Sequence, residues 1–192
     1  YGHQLAPFNE ELRELPASSY GCSKLAVSQL LQSMSRSSDF PSIIIRPSVV
    51  YGPGQSNDMF IPSLINTLIH RKTFDMTSGD QTRDFIYIDD IVEAIILSCK
   101  VSSLNGQIVN ISSGEFISIK KLAIKIANFI SPSSSQLINF GIKSYRETEV
   151  MSYYASNSLS YDVLGWSQKV NLESGLISTI SYFRKASRSL EN

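Results

Sequence analysis

Three consecutive isoleucines, Ile43–Ile45, stand between Pro41 and Pro47. A β-branched run with no polar alternation does not suit a strand that keeps one face in water. It suits a parallel strand covered on both faces. Parallel strands need crossover connections, and helical patterns flank this run on either side. Ahead of it, Ser18 and Ser19 can cap a helix whose stripe of Leu25, Val27, Leu30, Leu31 and Met34 ends near residue 36. Behind it, Gly52-Pro53-Gly54 breaks the chain, and Pro62 fits the first turn of a helix carrying Leu64, Ile65, Leu68 and Ile69.

The alternation continues. Residues 3–17, with Pro7 and Pro16, read as a surface loop, and residues 73–88 as two short strands around Gly79-Asp80. Asp89 or Asp90 can cap a helix that turns Ile91, Val92, Ile95, Ile96 and Cys99 to the core. Ile108, Val109 and Ile111 suggest a strand. Ser118 caps a helix with Ile119, Leu122, Ala123, Ile126, Ala127 and Ile130 on one face. Leu137-Ile138 is a weak strand, and helical patterns near 157–164 and 173–186 finish the chain. Strands alternating with helices predict an α/β fold.

With 17 basic and 17 acidic side chains in 192 residues, no electrostatic footprint for nucleic acid or an anionic membrane surface exists. No apolar run approaches the roughly 20 residues that span a bilayer, and no secretory signal pattern opens the chain. Cys22 and Cys99 have no metal-ligand spacing and read as reduced thiols of a cytoplasmic protein. The start at Tyr1-Gly2, inside structured-looking sequence, reads as an N-terminal truncation.

The chemistry concentrates at Tyr20-Gly21-Cys22-Ser23-Lys24. Residues four apart on a helix share a face, so the phenol and the ammonium can meet. A free tyrosine, with a pKa near ~10, is a poor base at neutral pH, and a nearby ammonium stabilises its phenolate. Such a pair can move a proton to or from a hydroxyl. With nine tyrosines in the chain, the spacing alone is weak.

Its surroundings are more specific. Tyr20 and Lys24 resemble the catalytic Tyr-x-x-x-Lys of the extended short-chain dehydrogenase/reductases, the NAD-dependent epimerase/dehydratase family. Tyr1-Gly2 is similar to the end of that family's Ser/Thr-x-x-x-Tyr-Gly segment, and Ile45 to Gly54 to its Arg-Pro-x-x-x-Tyr-Gly-Pro block. Arg83-Asp84-Phe85-Ile86-Tyr87-Ile88-Asp89-Asp90, Asn110-Ile111-Ser112-Ser113-Gly114, Tyr145-Arg146 and Leu164-Gly165-Trp166 resemble its later blocks, in order.

The resemblance implies the C-terminal part of a Rossmann-type doubly wound parallel sheet with a small mixed α/β substrate-binding lobe. Residues 1–52 would be the remnant of the dinucleotide-binding domain. Residues 53–192 would be mainly the substrate lobe, with about 84–112 returning to the first. It implies NAD, with NADP possible, and a nucleoside-diphosphate sugar as substrate. Tyr20 would be the acid/base, and Lys24 would also hold the nicotinamide ribose. Pro47 and Ser48 would line the nicotinamide end. Arg83 and Arg146 would grip the diphosphate, since a guanidinium fork matches phosphate oxygens. Phe60, Ile61, Phe74 and Met76 would pack the base and sugar.

The same residues have blander readings. Arg83 can pair with Asp80, and Arg146 with Glu147 or Glu149; Phe74 and Met76 can be core. Two departures stand out. Val49 occupies a position where the family often has Asn, and Ser112 one where glycine is common. The Gly-rich dinucleotide fingerprint and the third catalytic Ser or Thr are expected ahead of Tyr1, so the chain alone should neither bind dinucleotide well nor turn over. The activity implied first is 4-epimerisation through a 4-keto sugar, as in a UDP-glucose 4-epimerase. A 4,6-dehydratase or 4-ketoreductase comes second, and a non-catalytic nucleotide- or protein-binding member of the fold is the alternative of another class. Related enzymes imply a homodimer through the helix of Tyr20 and Lys24.

Overall fold

A computed structural model describes the backbone of residues 1–190 and the side chains of residues 1–188. The chain begins with α1 (Ser19–Ser38), β1 (Ile43–Pro47), β2 (Val49–Tyr51), α2 (Phe60–Ile69) and β3 (Phe74–Asp75). Then come β4 (Thr82–Arg83), β5 (Phe85–Tyr87), α3 (Ile88–Ser98), β6 (Gln107–Ile111), β7 (Ile117–Ser118) and α4 (Ile119–Ile130). It ends with β8 (Ile138–Asn139), β9 (Ser152–Tyr153), α5 (Ser158–Leu164) and α6 (Leu172–Leu190).

The fold is mixed α/β with parallel pairing, as the isoleucine run predicts. β1 lies parallel to β6, Ile44 opposite Ile108, and β2 lies parallel to β5, Val50 opposite Ile86. β3 pairs with β8, and a three-stranded sheet runs in the order β7-β4-β9. Only Ile44 of the three isoleucines is fully buried; Ile43 and Ile45 are half-buried against a cluster of Ile86, Ile91, Val109, Ile111, Leu164 and Trp166. A larger cluster gathers Leu64, Ile65 and Leu68 of α2, Leu122 and Ile126 of α4, and Leu176, Ile180 and Phe183 of α6. Gly175 allows this close packing. A Cβ there would sit 2.1 Å from the Tyr51 hydroxyl, which itself donates to the Leu172 carbonyl.

Several local expectations shift. Ser18 and Ser118 cap α1 and α4 as predicted, accepting from Gly21 N and Lys121 N. In α1, however, Val27 and Leu30 are exposed, and Ser28 and Ser35 are the buried residues. In α3 the buried face is Asp90, Ile91, Ala94 and Ser98, while Val92, Ile95, Ile96 and Cys99 face outward. Periodicity finds such helices but does not say which apolar stripe is covered; tertiary packing decides that.

Neither Asp89 nor Asp90 caps α3. The helix starts ahead of both, at Ile88, with Tyr87 as an N-cap that offers no side-chain bond. Asp90 is buried instead and accepts from Lys169 N at 3.0 Å and Val170 N at 3.1 Å. Its backbone carbonyl takes the Trp166 indole N–H at 3.0 Å. A first-turn carboxylate also suits the positive end of the helix. Residues 3–17 are not simply a surface loop. Phe8 is fully buried, stacked on Tyr1 at 5.0 Å and edge-on to Tyr153 at 5.1 Å. Phe8 N donates to Tyr154 O and Ser156 N to Phe8 O.

Asp84, between β4 and β5, is wholly buried. Its carboxyl accepts from Ser113 N and Gly114 N, both at 3.2 Å. The Ser112 hydroxyl lies 2.5 Å from Asp84 Oδ2 and 2.7 Å from the Ala155 carbonyl, and its single proton can serve only one of them. Burial pushes the Asp84 carboxyl above its ordinary value, against the pull of these hydrogen bonds. A proton held by Asp84 satisfies both contacts.

Two outcomes follow from this packing. Trp166→Ala removes a buried indole and its bond to Asp90, and should lower unfolding free energy in urea by about 3–5 kcal/mol; a loss under about 1 kcal/mol contradicts the packing. For Asp84, the folded state keeps its proton above the unfolded carboxyl pKa of roughly 4. Its contribution is therefore full at low pH and fades as pH rises through the raised folded value. Asp84→Asn should abolish that decline in urea midpoints as pH rises above about 4, and an unchanged slope counts against it.

Candidate functional site

The Ser18 cap fixes the first turn of α1, so Tyr20 sits at its start and Lys24 one turn later. The Lys24 ammonium lies over the Tyr20 ring, 5.4 Å from its centroid. Tyr20 is 71% exposed, and Lys24 has no carboxylate partner among the described residues. Pro47 and Ser48 follow at the C-terminal end of β1, where ligands of parallel sheets gather. Pro47 is exposed; Ser48 N is tied to the Ile111 carbonyl at 2.8 Å, leaving its side chain half-buried.

A second feature is a cleft of about 270 Å³ lined by Phe60, Phe74, Met76, Gln81, Arg83 and Lys143, among others. Four predicted ligand residues (Phe60, Phe74, Met76 and Arg83) meet here. Phe60 and Phe74 form an edge-to-face wall, centroids 5.9 Å apart. Met76 serves both cleft and core, being only 4% exposed. Ile61 does not join them: one step further round α2, it points into the core. A larger hollow of about 560 Å³, by Phe116, Lys121, Lys125 and Glu173, contains none of the predicted residues.

The arginines differ. Arg83 pairs with Glu149 rather than with Asp80, and Nη1 also donates to Thr82 O at 2.7 Å. Burial holds its pKa below the ordinary arginine value, with Glu149 offsetting only part of that, and a guanidinium remains charged at neutral pH. Two of its five N–H groups are used, and three have no acceptor among the described residues. Arg146 is exposed, does not line the cleft, and pairs with neither Glu147 nor Glu149. Asp80 instead meets Ser78 Oγ and Tyr145.

Lys143, Gln81 and Glu149 are cleft residues that sequence reasoning missed. The Lys143 ammonium lies over the Phe74 ring at 5.9 Å, and Gln81 buries an Oε1 that has no donor among the described residues. Lys143 belongs to a loop without periodicity, so nothing in the sequence marks it. Gln81 stands two residues before Arg83, just outside the recognised Arg83–Asp90 block, and that nearness was the available signal. No cluster of His, Cys, Asp and Glu among the described residues could hold a metal ion, and no helix there is long and apolar enough to cross a membrane.

The model of the NAD dependent epimerase/dehydratase family matches residues 1–112. Human dTDP-D-glucose 4,6-dehydratase is 34% identical over 190 residues, a match covering 96% of this chain and 54% of that protein. UDP-glucuronate 4-epimerase of Thermodesulfobacterium geofontis is 28% identical over 189 residues, covering 96% and 56%. The UDP-glucuronic acid 4-epimerase of Bacillus cereus, solved with UDP-glucuronic acid and NAD, superposes with a TM-score of 0.85 at 29% identity, covering 97% and 59%. The chain thus spans about half the length of the curated relatives it matches. A family match over more than half the chain, with the family's blocks in order around Tyr20, Lys24 and Arg83, places this protein in the NAD-dependent epimerase/dehydratase family.

Proposed function

We propose that the protein modifies a nucleoside-diphosphate sugar at C4, with Tyr20 as acid/base. The observation that carries this reading is the Lys24 ammonium lying over the Tyr20 ring on an open face. Tyr20 takes the proton of the sugar 4-hydroxyl and later returns it. Lys24 holds positive charge beside the phenol while that proton moves, and its free donors suit ribose hydroxyls. Bound NAD+ supplies the hydride acceptor and, once reduced, the donor. The Lys24 ammonium, without a carboxylate partner among the described residues, the exposed Pro47 and the half-buried Ser48 fit the nicotinamide end of such a cofactor. NADP would satisfy the same residues.

Arg83 holds the diphosphate with its three free N–H groups, and Phe60, Phe74 and Met76 hold the base. Arg146 reaches the diphosphate only if the 141–151 loop folds over the cleft. The proposed division of the chain assigns residues 1–52 and about 84–112 to the dinucleotide-binding unit. Most of 53–192 then forms the substrate lobe. The β1–β6 and β2–β5 pairings support it. Exposed Val27 and Leu30 on α1 fit a homodimer through that helix.

4-Epimerisation is the first reading, supported by the 4-epimerase relatives. 4,6-Dehydration is the second, favoured by the identity to the human dehydratase, and 4-ketoreduction follows. Mass spectrometry of the full-length protein's products separates them: an epimer keeps the substrate mass, whereas a dehydration product is lighter by one water. Tyr20→Phe should cut turnover by about 10²–10⁴-fold with nucleotide-sugar binding within about twofold. Full activity in that variant rules out Tyr20 as acid/base.

A further inference from the structure

The chain's balanced charge is not evenly spread. Residues 60–74, 119–137 and 174–190 supply α2, α4 and all of α6 beyond Glu173, and contain no aspartate or glutamate. Beside the ends of α2 and α4, against α6, lie two adjoining hollows of about 390 and 460 Å³. They share Ile69, Arg71 and Arg184; Ser131 and Ser133 line one, and Arg188 the other. No carboxylate among the described residues lines either hollow, and neither shares a residue with the cleft of Phe60 and Arg83. α2 runs from one site to the other, Phe60 at the cleft and Ile69 at the hollows, roughly 14 Å along its axis.

Both shared arginines have donors to spare. Arg71 follows α2 in a left-handed conformation, with φ 55°. Its backbone N–H donates to Leu68 O at 3.1 Å, and the Lys72 N–H to Thr67 O at 3.0 Å. This pair of bonds closes a helix where glycine is the usual residue, and an arginine there is strained. Its guanidinium makes no hydrogen bond or ion pair among the described residues, so no contact within them offsets the strain. Arg184 is half-buried, and its Nη2 donates to Ile130 O at 2.7 Å, at the end of α4. That bond anchors the guanidinium and leaves Nε and Nη1 without acceptors among the described residues. Arg188 stands one turn on, on the same face of α6.

A strained arginine with no internal partner, beside an anchored one with unused donors, suits a compact anion where no carboxylate competes. Concave volumes of this order hold small ligands rather than a flat membrane or a nucleic-acid duplex. We infer that the two hollows form a second ligand site, for a small molecule bearing phosphate groups. Arg71 and Arg184 grip the phosphate oxygens, and the Ser131 and Ser133 hydroxyls stand at the rim. The site is independent of the chemistry assigned to Tyr20.

Calorimetry of the full-length protein, with NAD present and magnesium absent, tests this with inorganic pyrophosphate. Binding should have a Kd below about 1 mM and weaken as NaCl rises. Arg71→Gly should weaken it about tenfold. The same variant should raise the urea midpoint, because glycine relieves the left-handed residue. Arg83→Gln, at the cleft, and Lys72→Ala, a neighbouring charge outside the hollows, should each change affinity less than about twofold. Loss in Arg83→Gln with Arg71→Gly unaffected places the anion in the cleft and overturns the site. Equal loss in Lys72→Ala shows a diffuse field, and a lowered midpoint in Arg71→Gly shows a structural role; either overturns the proposal. So does retention on phosphatidylglycerol vesicles without a response to pyrophosphate, and so does the absence of any binding.

Discussion

The site depends on a carboxyl with no access to water. Asp84 lies between β4 and β5, next to Arg83, and takes the backbone N–H groups of Ser113 and Gly114 beyond the end of β6. Through Ser112 it also reaches the Ala155 carbonyl, and so the strap that carries Tyr153. One buried group therefore fixes the distance between the parallel frame and the three-stranded sheet. Buried donors and acceptors carry a penalty when unpaired, which makes this junction intolerant of small shifts. The position of Arg83 over the cleft follows from it.

Asp90 does similar work on the other flank. It gathers Lys169 N and Val170 N while its carbonyl receives Trp166, pinning the segment between α5 and α6 against α3. Both acidic residues lie in one eight-residue block, Arg83 to Asp90, in which Arg83 lines the cleft while Asp84 and Asp90 hold the fold.

The apolar faces are unevenly used. α2, α4 and α6 bury their stripes against one another, whereas α1 and α3 leave Val27, Leu30, Val92, Ile95 and Ile96 in the open. β1 has β6 on one edge and no strand on the other among the described residues. These faces, on the helix that carries Tyr20 and on α3, are the surfaces where contact with further polypeptide would gain most by burial.

Much of this was legible from residue order. The isoleucine run between prolines points to a parallel strand, though only Ile44 is fully covered, and the serines at 18 and 118 start helices, one of which sets Tyr20 and Lys24 on a shared face. Tertiary structure alone decided which side of α3 is buried, since Ile91 and Ile95 look equally apolar in the chain and differ only in what packs against them. It alone turned Asp90 inward, paired Arg83 with Glu149 some 66 positions away, and left Arg146 outside the cleft. It also brought Phe8 against Tyr153 and Tyr153 beside Arg83, contacts between segments too distant in sequence for any periodic pattern to encode.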